Sequence, residues 1–247
     1  MDLMNKIGSF NGLLKEFRQA SRSSKKVDED RAKAFSTMLV DYEFAMQYWQ
    51  KSQETKADHF NLLEVVDLTF DEVRHSMILA WLLDARTQNF GTHAQGTLGF
   101  SLFLSEFRLP QEYAACKYSV RREVSEDESR VDVRIESAGR FIIDIENKIL
   151  SAEGIDQTNR EWRDLKLRAK VLGVPESAIH AFFLSPDRRE PINENFLAIS
   201  YDQLMKVFES FSEDARAMDV RLFAAHYAKV LRKFICCRPF QPLEEII

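Results

Sequence analysis

Glycine and proline are scarce in this chain, 8 and 6 among 247 residues. Proteins built from many short strands and tight turns need far more of both, so an all-β architecture is excluded and long helices are favoured. Cysteine is scarcer still. Cys116, Cys236 and Cys237 are an odd number without Cys-x-x-Cys spacing, which gives neither a disulfide framework nor a zinc site. They read as reduced thiols of a cytoplasmic protein, the last two packing at the end of an apolar helix. Surplus positive charge is also missing: the net charge is −5, so any nucleic-acid surface has to be a local patch. No apolar run approaches the ~18 residues that cross a bilayer, so no membrane partner is expected. The opening "MDLMNKIGSFNGLL" lacks the basic segment, apolar run and cleavage site of a secretory leader. No internal repeat, low-complexity segment or separating linker is visible, and the length suffices for a single domain with one sizeable core.

Helical periodicity fills the first part of the chain. Between Arg31 and Gln53, Phe35, Leu39, Tyr42, Met46 and Trp49 recur at helical spacing and give one apolar stripe. The polar "SRSSKKVDED" before it sets residues 1–20 apart as a separate helix. In "TFDEVRHSMILAWLLDAR", Thr69 and Glu72 have capping-box spacing, which predicts a helix start there. Met77 to Leu83 is apolar on every face, as in a helix buried all round. "GTHAQGTLGFSLFLSEF" supplies a loop and a third helix.

The period then changes from 3.6 to 2. "KYSVRREV", "RVDVRIES" and "RFIIDIENKIL" alternate, are rich in Val and Ile, and are separated by polar turns, which predicts an antiparallel meander. A helix follows over roughly Glu153–Val171, stopped by Gly173 and Pro175. "AIHAFFLS" reads as a buried strand and "FLAIS" as a further one. Helices at about Tyr201–Phe211 and Glu213–Ile235 close the chain. The expected fold is α/β: a mixed central sheet of four to five strands with flanking helices, comprising a helical extension over 1–65, an α-β-β-β-α-β core over 66–200 and C-terminal helices over 201–247.

Residues two apart in a strand share a face and lie roughly 6.5–7 Å apart. Asp144, Glu146 and Lys148 therefore project together, opposite Ile143, Ile145 and Ile149. On the preceding strand Asp132 lies opposite Val131, Val133 and Ile135, so pairing through the "ESAGR" turn brings it towards the same acidic face. Gathered carboxylates repel, and when buried they require a cation or raised pKa values. Hard oxygen ligands of this kind suit Mg²⁺ or Mn²⁺. A sheet with one solvated face would alternate in the same way. The in-phase Asp132 weighs against that, as does the next helix, where Gln157 is followed by Arg160 and Arg163 and a phosphate backbone has room to lie.

These residues carry a resemblance. "RVDVRIE…GRFIIDIENKI" followed by "DQ" in a helix resembles the core of the PD-(D/E)xK nuclease superfamily, in particular its bacterial branch with an Ile-Glu-Asn-Lys-Ile motif. The upstream "EVRHSMILAWLLDARTQNFGTHAQG" is similar to that branch as well. The resemblance covers about Asp71 to Trp162 and implies a restriction-endonuclease-like core. It implies Asp132 and Glu146 as metal ligands, the Asn147 carbonyl beside them, and Glu72 reaching the metal directly or through water. Lys148 would stand at the attacking water and scissile phosphate, and Gln157 would orient groups near it. His75 and Ser76 are candidates to meet substrate, although a satisfied buried histidine is the more natural reading of His75 and of His93. Two departures stand out: "LLDAR" replaces "LLDP", and Glu161 stands where an aromatic is expected four residues after Gln157. Lys148, flanked by isoleucines, would have a lowered pKa if burial dominated, which leaves a base role open.

The function implied is metal-dependent hydrolysis of nucleic-acid phosphodiesters, DNA before RNA, with Mg²⁺ or Mn²⁺ as cofactor. Two alternatives stay open: a catalytically inactive nuclease fold that binds nucleic acid or a protein, and a helical interaction protein whose Phe35–Trp49 stripe is a homodimer interface.

Overall fold

The computed structural model describes residues 12–18, 29–54, 57, 60–125 and 129–236. The chain divides into two compact units, residues 1–60 and 61–247. In the first, α1 (12–18) and α2 (Glu29–Glu54) are helical, and Phe17 stacks on Phe35 at 4.7 Å between ring centroids. The remainder of the helix expected over residues 1–20 lies outside the described residues. On α2 the stripe residues Phe35, Leu39, Tyr42 and Met46 are half-buried, while Phe44, Tyr48 and Trp49 are exposed.

The second unit is built on a five-stranded sheet in the order β1 (Ser119–Ser125), β2 (Arg130–Ser137), β3 (Phe141–Asn147), β4 (Ile179–Ser185), β5 (Leu197–Ser200). The first three strands are antiparallel, as their alternation predicts, and β3, β4 and β5 run parallel, so the sheet is mixed. The parallel step from β3 to β4 needs a crossover, and α6 (Gln157–Leu172) provides it. Gly173, in the left-handed conformation at φ 68°, ends that helix. The adjoining Leu172 carbonyl accepts the amide of Gly139 in the β2–β3 turn at 2.8 Å, tying the hairpin to the helix.

Helices cover both faces. After the short α3 (Leu62–Val65), one face receives α4 (Glu72–Leu83), α5 (Leu98–Glu106), α7 (Tyr201–Asp214) and α8 (Met218–Val230), a layer held together by aromatic contacts. Phe141 of β3 packs on Phe100 and Tyr113 there, and Phe182 of β4 meets Phe103 and Phe107. The other face receives α6. As a result every residue of β3 is buried, the charged ones included. The alternative of a sheet with one solvated face is excluded, because α6 lies over the acidic side.

The start of α4 also corrects a sequence expectation. Asp71, not Thr69, caps the helix, its Oδ1 accepting the Arg74 amide at 3.1 Å. Glu72 is thereby released from any capping box. Met77 is 47% exposed, so the run to Leu83 is not buried on every side.

Candidate active site

The acidic cluster is made by one hairpin. In the β2–β3 register Val133 pairs with Ile145, and the same register carried one residue further sets Asp132 opposite Glu146. The Asn147 amide donates to Asp132 Oδ2 at 2.8 Å and locks that carboxylate at the end of the ladder. Glu146, 2% exposed, receives the Lys148 ammonium at 2.7 Å and the Gln157 side-chain amide at 2.5 Å, both on Oε1. Its Oε2 is buried with no partner. Burial, reinforced by the charge of Asp132, pushes the Glu146 pKa up to about 7, and Lys148 and Gln157 offset this only in part. Asp132 is also raised, chiefly by burial, against the pull of the Asn147 amide and Lys148.

Lys148 does not have the lowered pKa its isoleucine neighbours suggest. Burial alone would lower it, but the carboxylates of Glu146, Asp132 and Glu72 together hold it above the usual lysine value, so the side chain is charged. Gln157 is the first residue of α6, and its Nε2 bridges Glu146 Oε1 and Glu161 Oε1, the latter at 2.8 Å. Its Oε1 accepts the Gly154 amide at 3.0 Å, which fixes which end of the amide faces the carboxylates. Glu161, the residue standing in the aromatic's place, is buried. Burial and the nearby Glu146 push its pKa up to about 9.

Asn147 points to the opposite face. Its side-chain nitrogen donates to the Glu72 carbonyl and to Ser76 Oγ, both at 3.1 Å, and its oxygen accepts the Tyr201 hydroxyl at 2.6 Å. The Glu72 carboxylate engages the turn after β3 while its charge still acts on Asp132 and Lys148: Oε1 accepts the amides of Ile149, Leu150 and Ser151 at 2.7, 3.0 and 3.1 Å. Burial would raise its pKa, yet these bonds and the Ser151 hydroxyl together hold it below the usual glutamate value.

The structure thus brings Asp132, Glu146, Asn147, Lys148 and Gln157 together, with Glu72 behind the turn that follows. His75 and Ser76 are turned inward. His75 Nδ1 meets the Tyr227 hydroxyl at 2.7 Å and Nε2 the Thr69 carbonyl at 3.2 Å, and burial lowers its pKa to about 4, so the ring is neutral. Ser76 donates to the Glu72 carbonyl at 2.9 Å. His93 is likewise buried, edge-on to Trp81 and Phe211. Arg160 and Arg163 lie along α6, Arg163 being 53% exposed beside Asp156 at 3.6 Å. In "LLDAR" the buried Asp84 carboxylate organises the loop instead of a proline, accepting the Arg86 amide and Nε at 3.0 and 2.9 Å. Gly91 is needed there, since a Cβ would stand 1.7 Å from the Asp84 carbonyl oxygen.

Sequence reasoning missed Arg134, Tyr201, Ser151 and Arg189. Arg134 forms a bidentate pair with Asp144, Nε to Oδ1 at 2.7 Å and Nη2 to Oδ2 at 2.8 Å, with both side chains 1% exposed. The register that brings Asp132 to Glu146 also pairs Arg134 with Asp144, so this partner could have been found from the hairpin. Arg189 donates to the Ser151 carbonyl at 2.6 Å; the basic pair Arg188–Arg189 stands out in the sequence, but not this partner, and Tyr201 leaves no local signal.

Among the described residues no three His, Cys, Asp or Glu side chains gather closely enough to hold a metal by themselves. Two carboxylates and a main-chain carbonyl suffice for Mg²⁺, which keeps several waters and takes further oxygens from substrate. The partnerless Glu146 Oε2 beside Asp132 fits such a cation, because a buried acceptor lacking a donor is costly to leave unsatisfied.

Comparison with known families gives one finding: the sequence model of the PD-(D/E)XK nuclease superfamily matches residues 60–229. No curated protein and no solved structure matches the chain.

Proposed function

The chain belongs to the PD-(D/E)XK nuclease superfamily, and we propose that it is a metal-dependent nuclease that hydrolyses phosphodiester bonds of DNA. Members of this superfamily typically use divalent metals, and Mg²⁺ or Mn²⁺ suits the oxygen donors present. The observation that carries the reading is the state of Glu146: buried, close to Asp132, and short of positive charge, with one oxygen lacking any partner.

Asp132, Glu146 and the Asn147 carbonyl would hold the ion. When bound, it would lower the pKa of a water and neutralise charge growing on the phosphate. Gln157 and Lys148 both engage Oε1 of Glu146, which leaves Oε2 as the oxygen open to a cation. Lys148, charged and 14% exposed, supplies a fixed positive group where the scissile phosphate would sit. Its raised pKa argues for this electrostatic role over that of a base. Asp132 is steadied by the Asn147 amide, and Asn147 by Tyr201, Ser76 and Glu72.

Substrate would lie along α6. Its acidic residues Glu161 and Asp164 are buried, while Arg163, Lys166 and Lys170 face outward along a groove of about 610 Å³. Basic side chains along the helix that Gln157 begins are where a phosphate backbone would gain most, even on a protein with net charge −5. No helix among the described residues is long and apolar enough to cross a membrane.

The test is cleavage of plasmid, linear and single-stranded DNA and of RNA with Mg²⁺ or Mn²⁺, alongside Glu146→Ala and Lys148→Ala. Metal-dependent cutting of DNA that both substitutions abolish is the expected result. Nucleic-acid binding without cleavage by the unaltered protein would instead establish an inactive nuclease fold.

A further inference from the structure

The side chain that departs most from its expected place is Glu72. One oxygen of its carboxylate is fully occupied: Oε1 accepts three successive main-chain amides, those of Ile149, Leu150 and Ser151, and the Ser151 hydroxyl lies 2.9 Å from each oxygen. To bind a cation through Oε1, the carboxylate would have to abandon these three amides.

What these bonds hold is the backbone on both sides of Lys148. On the near side, the Glu72 carbonyl accepts the Asn147 side chain at 3.1 Å, and Asn147 in turn gives its amide to Asp132. On the far side, the Glu72 carboxylate gathers residues 149–151. Between them the Lys148 amide donates to the Leu184 carbonyl of β4 at 2.9 Å. The Lys148 ammonium is therefore aimed at Glu146 by a backbone fixed before, at and after the residue. Glu72 can do this because Asp71 performs the capping of α4, leaving the first-turn glutamate free to reach across to the strand end.

We propose that Glu72 is a positioning residue, not a metal ligand: it sets Lys148 and the Asn147 carbonyl by clamping the turn over Ile149–Ser151. This rests on the nuclease reading. Misplacing a reacting group by about 1 Å costs up to ~100-fold in rate, so loss of the clamp should appear in kcat while metal affinity is spared.

The experiment compares Glu72→Ala, Glu72→Gln and Glu146→Ala by three readouts: DNA cleavage, Mn²⁺ affinity measured by calorimetry without nucleic acid, and amide exchange over residues 148–151. Glutamine keeps an acceptor oxygen for the three amides, and Ser151 can turn its hydroxyl to accept from the new NH₂. The expected result is a kcat loss of about 10–100-fold in Glu72→Ala with KM little changed, faster exchange over 149–151, and Mn²⁺ affinity within about 3-fold of the parent. Glu72→Gln should recover most of the rate and the slow exchange, while Glu146→Ala loses Mn²⁺ binding. If Glu72→Gln binds Mn²⁺ ten-fold or more weakly, Glu72 is a ligand and the proposal is wrong. Unchanged kcat in a folded Glu72→Ala overturns it too. If the parent protein cuts nothing, the nuclease reading has failed first, and slow exchange over 149–151 surviving in Glu72→Ala would remove the clamp as well.

Discussion

Asp144 and Glu146 are two residues apart on one strand, face the same helix and are equally buried, yet they have opposite surroundings. Asp144 has a full guanidinium in bidentate contact, so its charge is answered inside the fold. Glu146 shares one lysine with Asp132, keeps one oxygen unpartnered, and has its pKa pushed up to about 7. At Asp144 the buried charge is matched, which suits a scaffold role; at Glu146, beside Asp132, it is left short, which suits a cation site.

The strongest way to break this contrast is to remove Arg134. Arg134→Met strands the Asp144 charge in the sheet and should cost about 3–5 kcal/mol in chemical denaturation, with activity falling only as the folded population falls. Glu146→Gln should do the reverse. Cleavage should drop by about 100-fold or more, roughly 2.7 kcal/mol, while stability at pH 8 should not fall and should rise, because the amide removes the buried charge that burial and Asp132 disfavour. Equal destabilisation by the two variants would erase the distinction between scaffold and site.

Glu161 offers a smaller effect with a defined sign. Its pKa in the fold is raised from the ordinary 4.5 to about 9, so its contribution to stability is complete below pH 4.5 and drains away as the pH rises towards 9. Glu161→Gln removes that loss and should be more stable than the parent at pH 8, on the order of 2 kcal/mol, with the gap closing near pH 4 in matched urea melts. The smallest effect concerns proton competition at Glu146. With its pKa near 7, Mg²⁺ affinity should rise about tenfold from pH 6 to pH 8, with proton release visible as a buffer dependence of the binding enthalpy. A flat profile would mean that Glu146 is already ionised without the ion.

Much of this was legible in the chain because it is local. The period-2 alternation of β1 to β3 gave the meander, and the parity of Asp132, Glu146 and Lys148 gave their common side. The αL glycine at 173 was marked as the stop of α6. What escaped depends on partners far away in sequence. Alternation of Ile with Asp and Glu is the same whether the polar side meets water or a helix, so the burial of all of β3 under α6 could not be read from it. The Thr69–Glu72 spacing matched a capping box, but the carboxylate was drawn 77 residues away by three unsatisfied amides, and Asp71 took over the cap. Tyr201, 54 residues from Asn147, carries no motif that announces their bond. Glu161 was noticed as a departure from the family's aromatic, and the structure gives that departure a contact: it anchors the far side of the Gln157 amide.

The β2–β3 hairpin has a consequence for the order of assembly. Its strands are joined across residues 138–140, so loop closure is cheap and Asp132, Glu146 and Lys148 come together as soon as the hairpin forms. The Glu72 clamp spans 77 residues and can close only when α4 docks. Crowded negative charge is therefore created early and steadied late, so the hairpin should govern the folding rate and the clamp should act mainly on the rate of unfolding.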